Sequence, residues 1–550
     1  MAISTPNWRS IYFITIGIRF CFTLGDSYIH PDEHFQSFEP LGLLLGYSTN
    51  PPWEFSAEAP ARSYALLMLL YYPVIYLSST FGLLPLQTRY LARLELMLVS
   101  WVVTDWCLYR MLPTKQERIK AIYFALTSYV TLVYQSHTFS NSVETVLVML
   151  TVFMINELRF LSTTPENQYN FREIGILAAG IGVVGAIGVF NRVTFPAFFV
   201  FPAFFYLQCW RKWRLLILFT GVPFLIVSAL FIVADTAIFT QTSVWTILKT
   251  FKWDQYKVAP LNNLIYNTHH ANLAHHGIHP YYTHAVINLP QLLGPGLAFV
   301  FYGFKNRYWR TTPFVTAASG LFFLSLVPHQ EVRFLIPVVP LLCCCFDMEV
   351  FDRKPTSSND ENNKEKTDNA TEPKSRRTGA LPAAVLNLWY LFNLALALLM
   401  GIYHQGGVVP AVDYLHDFIY HDPTDKSLDV TAQIWWRTYS PPTWMLGDKH
   451  NSTQFITLSD DNVDFFIDTS KSNLLFDTMG LEIDLLEKVI TTVKSSAAKT
   501  YLITPVASFN KNFDCPHKVI WKIKQHLDMD HLDIGDIQTL QPELGIFELL

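Results

Sequence analysis

The chain has few charged residues for its length. Only 15% of its 550 residues are Asp, Glu, Lys or Arg, whereas 51% are hydrophobic and 15% are aromatic. A soluble domain usually carries about 25% charged residues. This deficit, together with a mean hydropathy of +0.23, indicates that much of the protein surface meets lipid rather than water.

The chain also lacks a basic surface and a cysteine framework. Its net charge is −5, which argues against nucleic acid as a partner because proteins that bind it carry basic patches. The seven cysteines include no C-x-x-C pair, and Cys343, Cys344 and Cys345 are consecutive in an apolar run. We expect these three to behave as small hydrophobic residues.

Long apolar runs are abundant. A helix needs roughly 20 apolar residues to cross a bilayer, and the segments 63–88, 215–234 and 380–412 meet this requirement plainly. Residues 10–24 are predicted to be a retained signal anchor. Together with weaker candidates, some of them short enough to be tilted, broken or re-entrant, these make about a dozen segments. The weaker candidates are 90–111, 121–139, 143–160, 174–190, 193–210, 284–303, 314–327 and 334–346.

Positive charge predicts which loops face the cytoplasm. Lys305, Arg307 and Arg310 mark one cytoplasmic turn, and the polar stretch 350–379 is predicted to be a disordered cytoplasmic loop. The basic stretches 115–120 and 211–214 also look cytoplasmic, which a simple count of crossings does not allow.

We therefore predict that 174–210 forms one broken crossing, interrupted at 191–196. Residues 1–412 then form a membrane region with luminal loops at 26–62 and 240–284.

Residues 413–550 are predicted to form a small luminal α/β domain. The region is more polar, with alternating patches at 455–458 and 464–467, helical apolar spacing at 481–493 and strand-like residues at 500–503. Asn451 begins an N-glycosylation sequon on the luminal side. Asn369 begins a second sequon in the cytoplasmic loop, and we predict that it stays unmodified.

The sharpest chemical feature is His30-Pro31-Asp32-Glu33-His34-Phe35-Gln36, directly after the first apolar segment. Two adjacent carboxylates beside histidines at a membrane surface are costly unless they are solvated or used. The motif can be a solvated loop start with a turn proline. It can equally supply a general base that takes a proton from an attacking hydroxyl.

Other polar groups have structural interpretations, and some of them also have functional ones. Trp53-Glu54, followed by Arg62, can be an aromatic membrane-interface anchor with a snorkelling arginine. Arg333 in His329-Gln-Glu331-Val-Arg333 can pair locally with Glu331 or clamp a phosphate. Asp235 and Arg192 lie at membrane depth and can be functional groups or paired interhelical groups.

The loop 261–295 contains six histidines: His269, His270, His275, His276, His279 and His284. This density invites a metal hypothesis, but Cys or carboxylate ligands and an H-E-x-x-H motif are missing from the loop. We therefore predict no metal site. Imidazoles can instead hydrogen-bond a phosphate or sugar hydroxyls.

Taken together, these motifs resemble one family, the dolichol-phosphate-mannose-dependent mannosyltransferases that build glycosylphosphatidylinositol (GPI) anchors and N-glycan precursors. HPDEHFQ, WEF with Arg62, Asp235-Thr236 and HQEVRFLIP at 329–337 occur in family order. So do TFSNSVE at 138–144 and NRVTFPAF at 191–198. The segment from Asn272 to His284 looks like the subgroup that adds the fourth, side-branch mannose.

The resemblance implies a polytopic α-helical protein of the GT-C glycosyltransferase fold in the endoplasmic reticulum membrane. It also implies α-1,2 transfer of mannose, with inversion, from dolichol-phosphate-mannose to the third mannose of the GPI precursor, without a cofactor. Asp32 is then predicted to be the base and Glu33 to orient it or the acceptor. The predicted substrate-binding residues are His30, Gln36, Glu54, Arg62, Asp235, His276, His279, His284, His329, Glu331 and Arg333.

Three alternatives stay open from the sequence. A related enzyme could add the third mannose. A polytopic lipid transporter would also be rich in apolar segments, although transporters usually show two related halves and this chain shows no internal repeat. A structural subunit of an enzyme complex would not need the paired acids Asp32 and Glu33 at a loop mouth.

Overall fold

The structure is a computed structural model. It describes residues 8–165, 169–269, 272, 277–303, 308–346, 380–420, 430–532 and 537–550.

The membrane region is built from helices whose lengths differ widely. In chain order the helices up to residue 250 are α1 Trp8–Thr23, α2 Asp32–Phe35, α3 Phe38–Leu41, α4 Tyr64–Phe81, α5 Pro85–Met111, α6 Lys115–Thr127, α7 Tyr129–Leu132, α8 Ser140–Thr163, α9 Phe171–Asn191, α10 Ala203–Lys212, α11 Leu216–Thr240 and α12 Val244–Thr250. The helices that follow are α13 Ala259–Thr268, α14 Leu289–Leu293, α15 Gly296–Gly303, α16 Thr312–Ser325, α17 Val338–Cys343, α18 Ala380–Leu398 and α19 Val408–Leu415.

Five described helices are long and apolar enough to cross a bilayer: α4, α8, α9, α11 and residues Ala384–Tyr403, which continue α18 into a π-helical turn. The surface of α11 carries exposed side chains such as Leu225 and Leu230. Exposed apolar residues along a whole helix indicate contact with lipid. The prediction of a polytopic membrane protein is therefore confirmed.

Several predicted segments are broken instead of continuous. The segment 284–303 forms a π-turn at His284–Asn288, then α14 and α15, separated at Gly294 with a left-handed φ of 47°. Pro337 precedes α17 and Pro340 lies inside it, and α17 is only six residues long. The predicted interruption after residue 190 is present, because α9 ends at Asn191 and a 3₁₀ turn follows at Phe195–Phe199.

The C-terminal region contains a six-stranded sheet. Its strands are β1 Thr431–Trp435, β2 Thr453–Thr457, β3 Asn473–Asp477, β4 Lys499–Pro505, β5 His517–Ile523 and β6 Leu544–Leu549, in the spatial order β2-β3-β1-β4-β6-β5. The first four of this order pair in parallel, with Thr431 opposite Asn473 and Lys499, and the last pairs are antiparallel. The predicted helix appears as α20 Ile483–Ser496, and α21 covers Val506–Asn512.

Alternation along the strands determines what covers each face of the sheet. Ile434 and Leu474 face a cluster that includes Val489 of α20. Trp435 and Leu475 face a cluster that includes residues of α19 and of the loop after α1. The predicted domain boundary at residue 412 falls inside α19, and the alternating patch at 464–467 forms irregular chain.

The first loop and the C-terminal region are joined by buried polar contacts. Glu39 accepts hydrogen bonds from the backbone nitrogens of Asn50 at 2.9 Å and Trp444 at 3.3 Å. The indole of Trp444 donates to His34 Nδ1 at 3.2 Å. The Tyr28 hydroxyl donates to the carbonyl oxygen of Ser440 at 3.0 Å. The end of β1 therefore lies against the loop that carries Asp32.

Candidate active site

A cavity of about 800 Å³ opens between the first loop, the end of α9, helix α13 and the segment after α16. One part of its wall is polar and the other is apolar. The polar wall includes His30, Asp32, Gln36, Glu54, Arg62, Asn191, Arg192, Asn263, Asn267, His329, Glu331 and Arg333. The apolar wall includes Val189, Phe190, Ala197, Phe323, Leu324, Leu326 and Val327.

Asp32 and Arg333 form the centre of the polar wall. Asp32 is the first residue of α2, and its Oδ2 lies 2.5 Å from Arg333 Nη1. Gln36, one helical turn later, donates to the same oxygen at 2.6 Å. Burial raises the pKa of Asp32, but Arg333 and His30 outweigh it and hold that pKa below its ordinary value. Asp32 is therefore a carboxylate at neutral pH.

Arg333 also binds Glu331, and Glu331 binds His329. The Nε of Arg333 donates to Glu331 Oε2, and His329 Nε2 lies 2.7 Å from Glu331 Oε1. The other ring nitrogen of His329 lies 3.1 Å from the carbonyl oxygen of Gly277. Burial lowers the pKa of His329, but the hydrogen bond to Glu331 more than compensates and raises it. Two oxygen acceptors on one ring favour the imidazolium, so His329 brings positive charge to the cavity.

Two further arginines line the cavity. Arg62 pairs with Glu54 at 3.0 Å and donates to the carbonyl oxygen of Asn191 at 3.2 Å. Arg192 pairs with Glu144 of α8 at 3.2 Å. Arg62 and Arg333 donate hydrogen bonds through Nε and Nη1, whereas Arg192 donates through Nη1 alone, to Ser140 and Asn141. Across the described residues, Nη2 of none of the three donates a hydrogen bond, so the cavity wall keeps N–H groups for an anionic ligand.

Glu33 does not line the cavity, although it follows Asp32 directly. Its carboxylate is fully buried, 3.1 Å from Arg93 Nε and 2.7 Å from His137 Nδ1. Burial raises its pKa, but Arg93 and His137 hold the pKa far below the ordinary value. Neighbouring positions of a helix point about 100° apart, which sends Asp32 to the cavity and Glu33 to the interior. The predicted contact of Glu33 with the acceptor therefore does not fit this placement.

Three other predicted ligands also lie off the cavity wall. Asp235 accepts a hydrogen bond from the backbone nitrogen of Ala65 at 2.8 Å, so it caps the first turn of α4. The backbone nitrogen of His284 donates to Gln330 Oε1 at 2.9 Å, and His279 Nδ1 accepts from the Gln330 backbone nitrogen at 3.3 Å. These two histidines hold the segment that carries His329.

His276 lies outside the described residues, as do His270, His275 and Asn369. Among the residues that are described, no group of three or more His, Cys, Asp or Glu side chains is placed to hold a metal ion. Asn263 and Asn267 are not among the predicted ligands, yet they lie one helical turn apart on α13 and line the cavity. Their spacing of four residues predicts that both lie on one face of a helix, but the sequence does not show what that face would contact.

Comparison with known proteins identifies the sequence family and the fold. The model of the Alg9-like mannosyltransferase family matches residues 10–447. The chain is 47% identical to GPI mannosyltransferase 4 of Debaryomyces hansenii and 43% identical to GPI mannosyltransferase 4 of Candida albicans, with 99% of both chains covered in each case.

The fold is similar to ArnT from Cupriavidus metallidurans bound to undecaprenyl phosphate, with a TM-score of 0.52, 9% identity and coverage of 99% and 98%. The resemblance seen in the motifs is confirmed, and the lipid-transporter alternative loses its support. The chain therefore belongs to the Alg9-like mannosyltransferase family and is a membrane-spanning glycosyltransferase with the GT-C fold.

Proposed function

We propose that the chain transfers mannose from dolichol-phosphate-mannose to the third mannose of the GPI anchor precursor, in α-1,2 linkage and with inversion. Support comes from the relatives named GPI mannosyltransferase 4, which match over the full length. The observation that carries the chemistry is one cavity in which Asp32 meets Arg333 beside an apolar wall. A lipid-phosphate sugar needs both surfaces, because its chain is apolar and its headgroup is charged.

In the proposed reaction, the 2-hydroxyl oxygen of the acceptor mannose attacks the anomeric carbon of the donor. The new carbon–oxygen bond forms on the face opposite the phosphate, and the bond from the anomeric carbon to the phosphate oxygen breaks. Dolichyl phosphate leaves with that electron pair, and Asp32 takes the hydroxyl proton, as the base of an inverting glycosidase does. Phosphate is a good leaving group, so a second acid is not required.

Arg333 links the base to the leaving group in this proposal. In the structure its guanidinium neutralises Asp32 and keeps the pKa of that carboxylate low. A donor phosphate that draws Arg333 toward itself would weaken this pair and raise the basicity of Asp32. Oδ1 of Asp32 accepts no hydrogen bond from a described residue, and the Nδ1 atom of His30 lies 3.8 Å from it. That oxygen is therefore the one we propose for the proton.

Arg333 and His329, rather than a metal ion or cofactor, are proposed to offset the charge of the departing phosphate. The acceptor glycolipid and the donor both reside in a membrane, which we propose is that of the endoplasmic reticulum, with the cavity facing the lumen.

Replacement of the base tests the mechanism. We expect Asp32→Asn to reduce kcat about 100- to 10,000-fold, the usual contribution of a general base, while donor binding is retained. Purified protein, dolichol-phosphate-mannose and the three-mannose precursor are the reagents. Asp254→Asn, at an exposed carboxylate that does not line the cavity, is the control. An Asp32→Asn enzyme with more than a tenth of the original kcat would exclude Asp32 as the base.

A lipid profile tests the acceptor. Cells lacking the protein should accumulate the three-mannose GPI precursor. Accumulation of a two-mannose precursor instead would assign the chain to addition of the third mannose.

A further inference from the structure

An aromatic pair forms part of the cavity wall, and its two residues lie outside the sequence motifs that contain Asp32 and Arg333. Trp53 and Tyr266 both line the cavity, and their ring centroids are 4.1 Å apart at an interplanar angle of 30°. Trp53 belongs to the 3₁₀ turn Trp53–Phe55, whereas Tyr266 belongs to α13. Two elements far apart in sequence therefore build one aromatic surface.

The placement of Trp53 differs from that of a membrane-interface anchor. Trp53 is 45% exposed and its neighbour Glu54 is held by Arg62 inside the same cavity. Trp253, in the luminal loop predicted at 240–284, is 94% exposed and does not line the cavity. A tryptophan that serves only as an anchor would be placed like Trp253, on the outside. Trp53 instead forms part of the cavity wall.

Two amide side chains stand beside the aromatic pair. Asn263 and Asn267 occupy positions one helical turn apart on α13, and both line the cavity. The Nδ2 of Asn267 donates to Asn263 Oδ1 at 2.9 Å, which fixes the two amides relative to each other. Each amide has further donor and acceptor capacity beyond this bond.

We propose that Trp53, Tyr266, Asn263 and Asn267 form a subsite for the mannose chain of the acceptor, separate from the Asp32 centre. A pyranose ring has an apolar C–H face and a rim of hydroxyl groups. An aromatic ring matches that face, and fixed amides match the rim. This inference rests on the proposed function, because it identifies which part of the same cavity holds the acceptor glycan.

The subsite predicts a dependence on acceptor length. A three-mannose acceptor reaches both the Asp32 centre and the aromatic pair, whereas a single α-mannoside reaches the centre alone. Trp53→Ala should raise KM for the three-mannose acceptor roughly tenfold and leave KM for the donor and for the single mannoside close to the original values. Trp53→Phe keeps an aromatic face and should restore most of the affinity.

Trp253→Ala is the matched control, because it removes an exposed tryptophan outside the cavity, and all its kinetic constants should stay at the original values. Equal changes of KM for both acceptors, or a change of KM for the donor, after Trp53→Ala would overturn the subsite. So would an unchanged KM for the three-mannose acceptor.

A binding measurement separates this inference from the proposed reaction. The probe is a three-mannose glycan whose terminal 2-hydroxyl is replaced by hydrogen, titrated into the full-length protein in detergent. If the original protein binds this probe and Trp53→Ala does not, the subsite stands even where no mannose is transferred. If mannose is transferred but both proteins bind the probe equally, the subsite is wrong and the reaction stands.

Discussion

Arg333 holds two carboxylates, Asp32 and Glu331, and Glu331 in turn holds His329. Because the four groups are in contact, the charge of each one affects the pKa of its neighbours. Asp32 stays ionised well into the acid range because its pKa is held low. His329 has a raised pKa, so it keeps its proton at higher pH than an ordinary histidine, whose pKa is about 6.5.

These residues predict a pH profile. The imidazolium of His329 is present below its raised pKa and is lost as the pH rises through that value, so kcat/KM should fall on the alkaline side. His329→Gln should be slower by about 10- to 100-fold at neutral pH, the value of one charge-assisted hydrogen bond, and should lack this alkaline decline. The measurement is kcat/KM between weakly acidic and weakly basic pH for both proteins. The same alkaline decline in His329→Gln would show that another group titrates.

At the scale of elements, the four-residue helix α2 has two different polar sides. Asp32 and Gln36, its C-terminal neighbour, face the cavity, while Glu33 binds Arg93 of α5 and His137 before α8. Arg93 also donates to the carbonyl oxygen of Gly25 at 2.6 Å. A helix this short cannot hold its own orientation. These buried contacts fix α2 against α5 and against the turn that precedes α8.

We therefore expect Glu33→Gln to act through position and stability. Removal of one partner from a buried ion pair leaves Arg93 without its counter-charge and costs about 3–5 kcal/mol of unfolding free energy. Thermal unfolding in detergent should show a lower unfolding temperature for Glu33→Gln, and kcat should be lower as well. Glu58→Gln, at an exposed carboxylate of the same loop, should change neither. A stable Glu33→Gln protein with low kcat and an altered pH profile would instead place Glu33 in the chemistry.

At the scale of the whole molecule, the sheet region is docked on the first loop. Ser440, just after β1, lines the cavity, and Glu39 and His34 of the loop bind the segment around Trp444. The cavity and the sheet must therefore lie on one side of the membrane. Asn451, in the turn before β2, has an exposed side chain and a left-handed φ of 52°.

The sidedness can be measured through glycosylation. With a luminal cavity, we expect one N-glycan at Asn451 and none at Asn369. Treatment with an endoglycosidase should remove one glycan and increase the electrophoretic mobility of the protein. The untreated Asn451→Gln variant should migrate like the treated original protein. A glycan at Asn369 would put the sheet region and the cavity in the cytosol and would contradict the luminal orientation.

The sequence by itself determined the class of the molecule and the identity of its central residues. Composition and apolar runs indicated several membrane spans because lipid contact requires long uncharged helices. The motifs around Asp32 and Arg333 could indicate a functional site because charged residues beside membrane-spanning segments are costly unless they are solvated or used. The helix α20 and the strand β4 could also be predicted, because the spacing of apolar residues is a local property of the sequence.

Only the tertiary structure decided the roles of neighbouring residues. Asp32 and Glu33 are equivalent acids in the sequence, yet one meets the cavity and the other a buried arginine from α5. Asp235 and His284 have the residue types of ligands, but they bind backbone and amide groups of nearby segments. Only the fold showed that α13 places Tyr266 against Trp53 in the wall of the cavity. The direction of a side chain depends on contacts between elements distant in sequence, and local pattern carries no information about them.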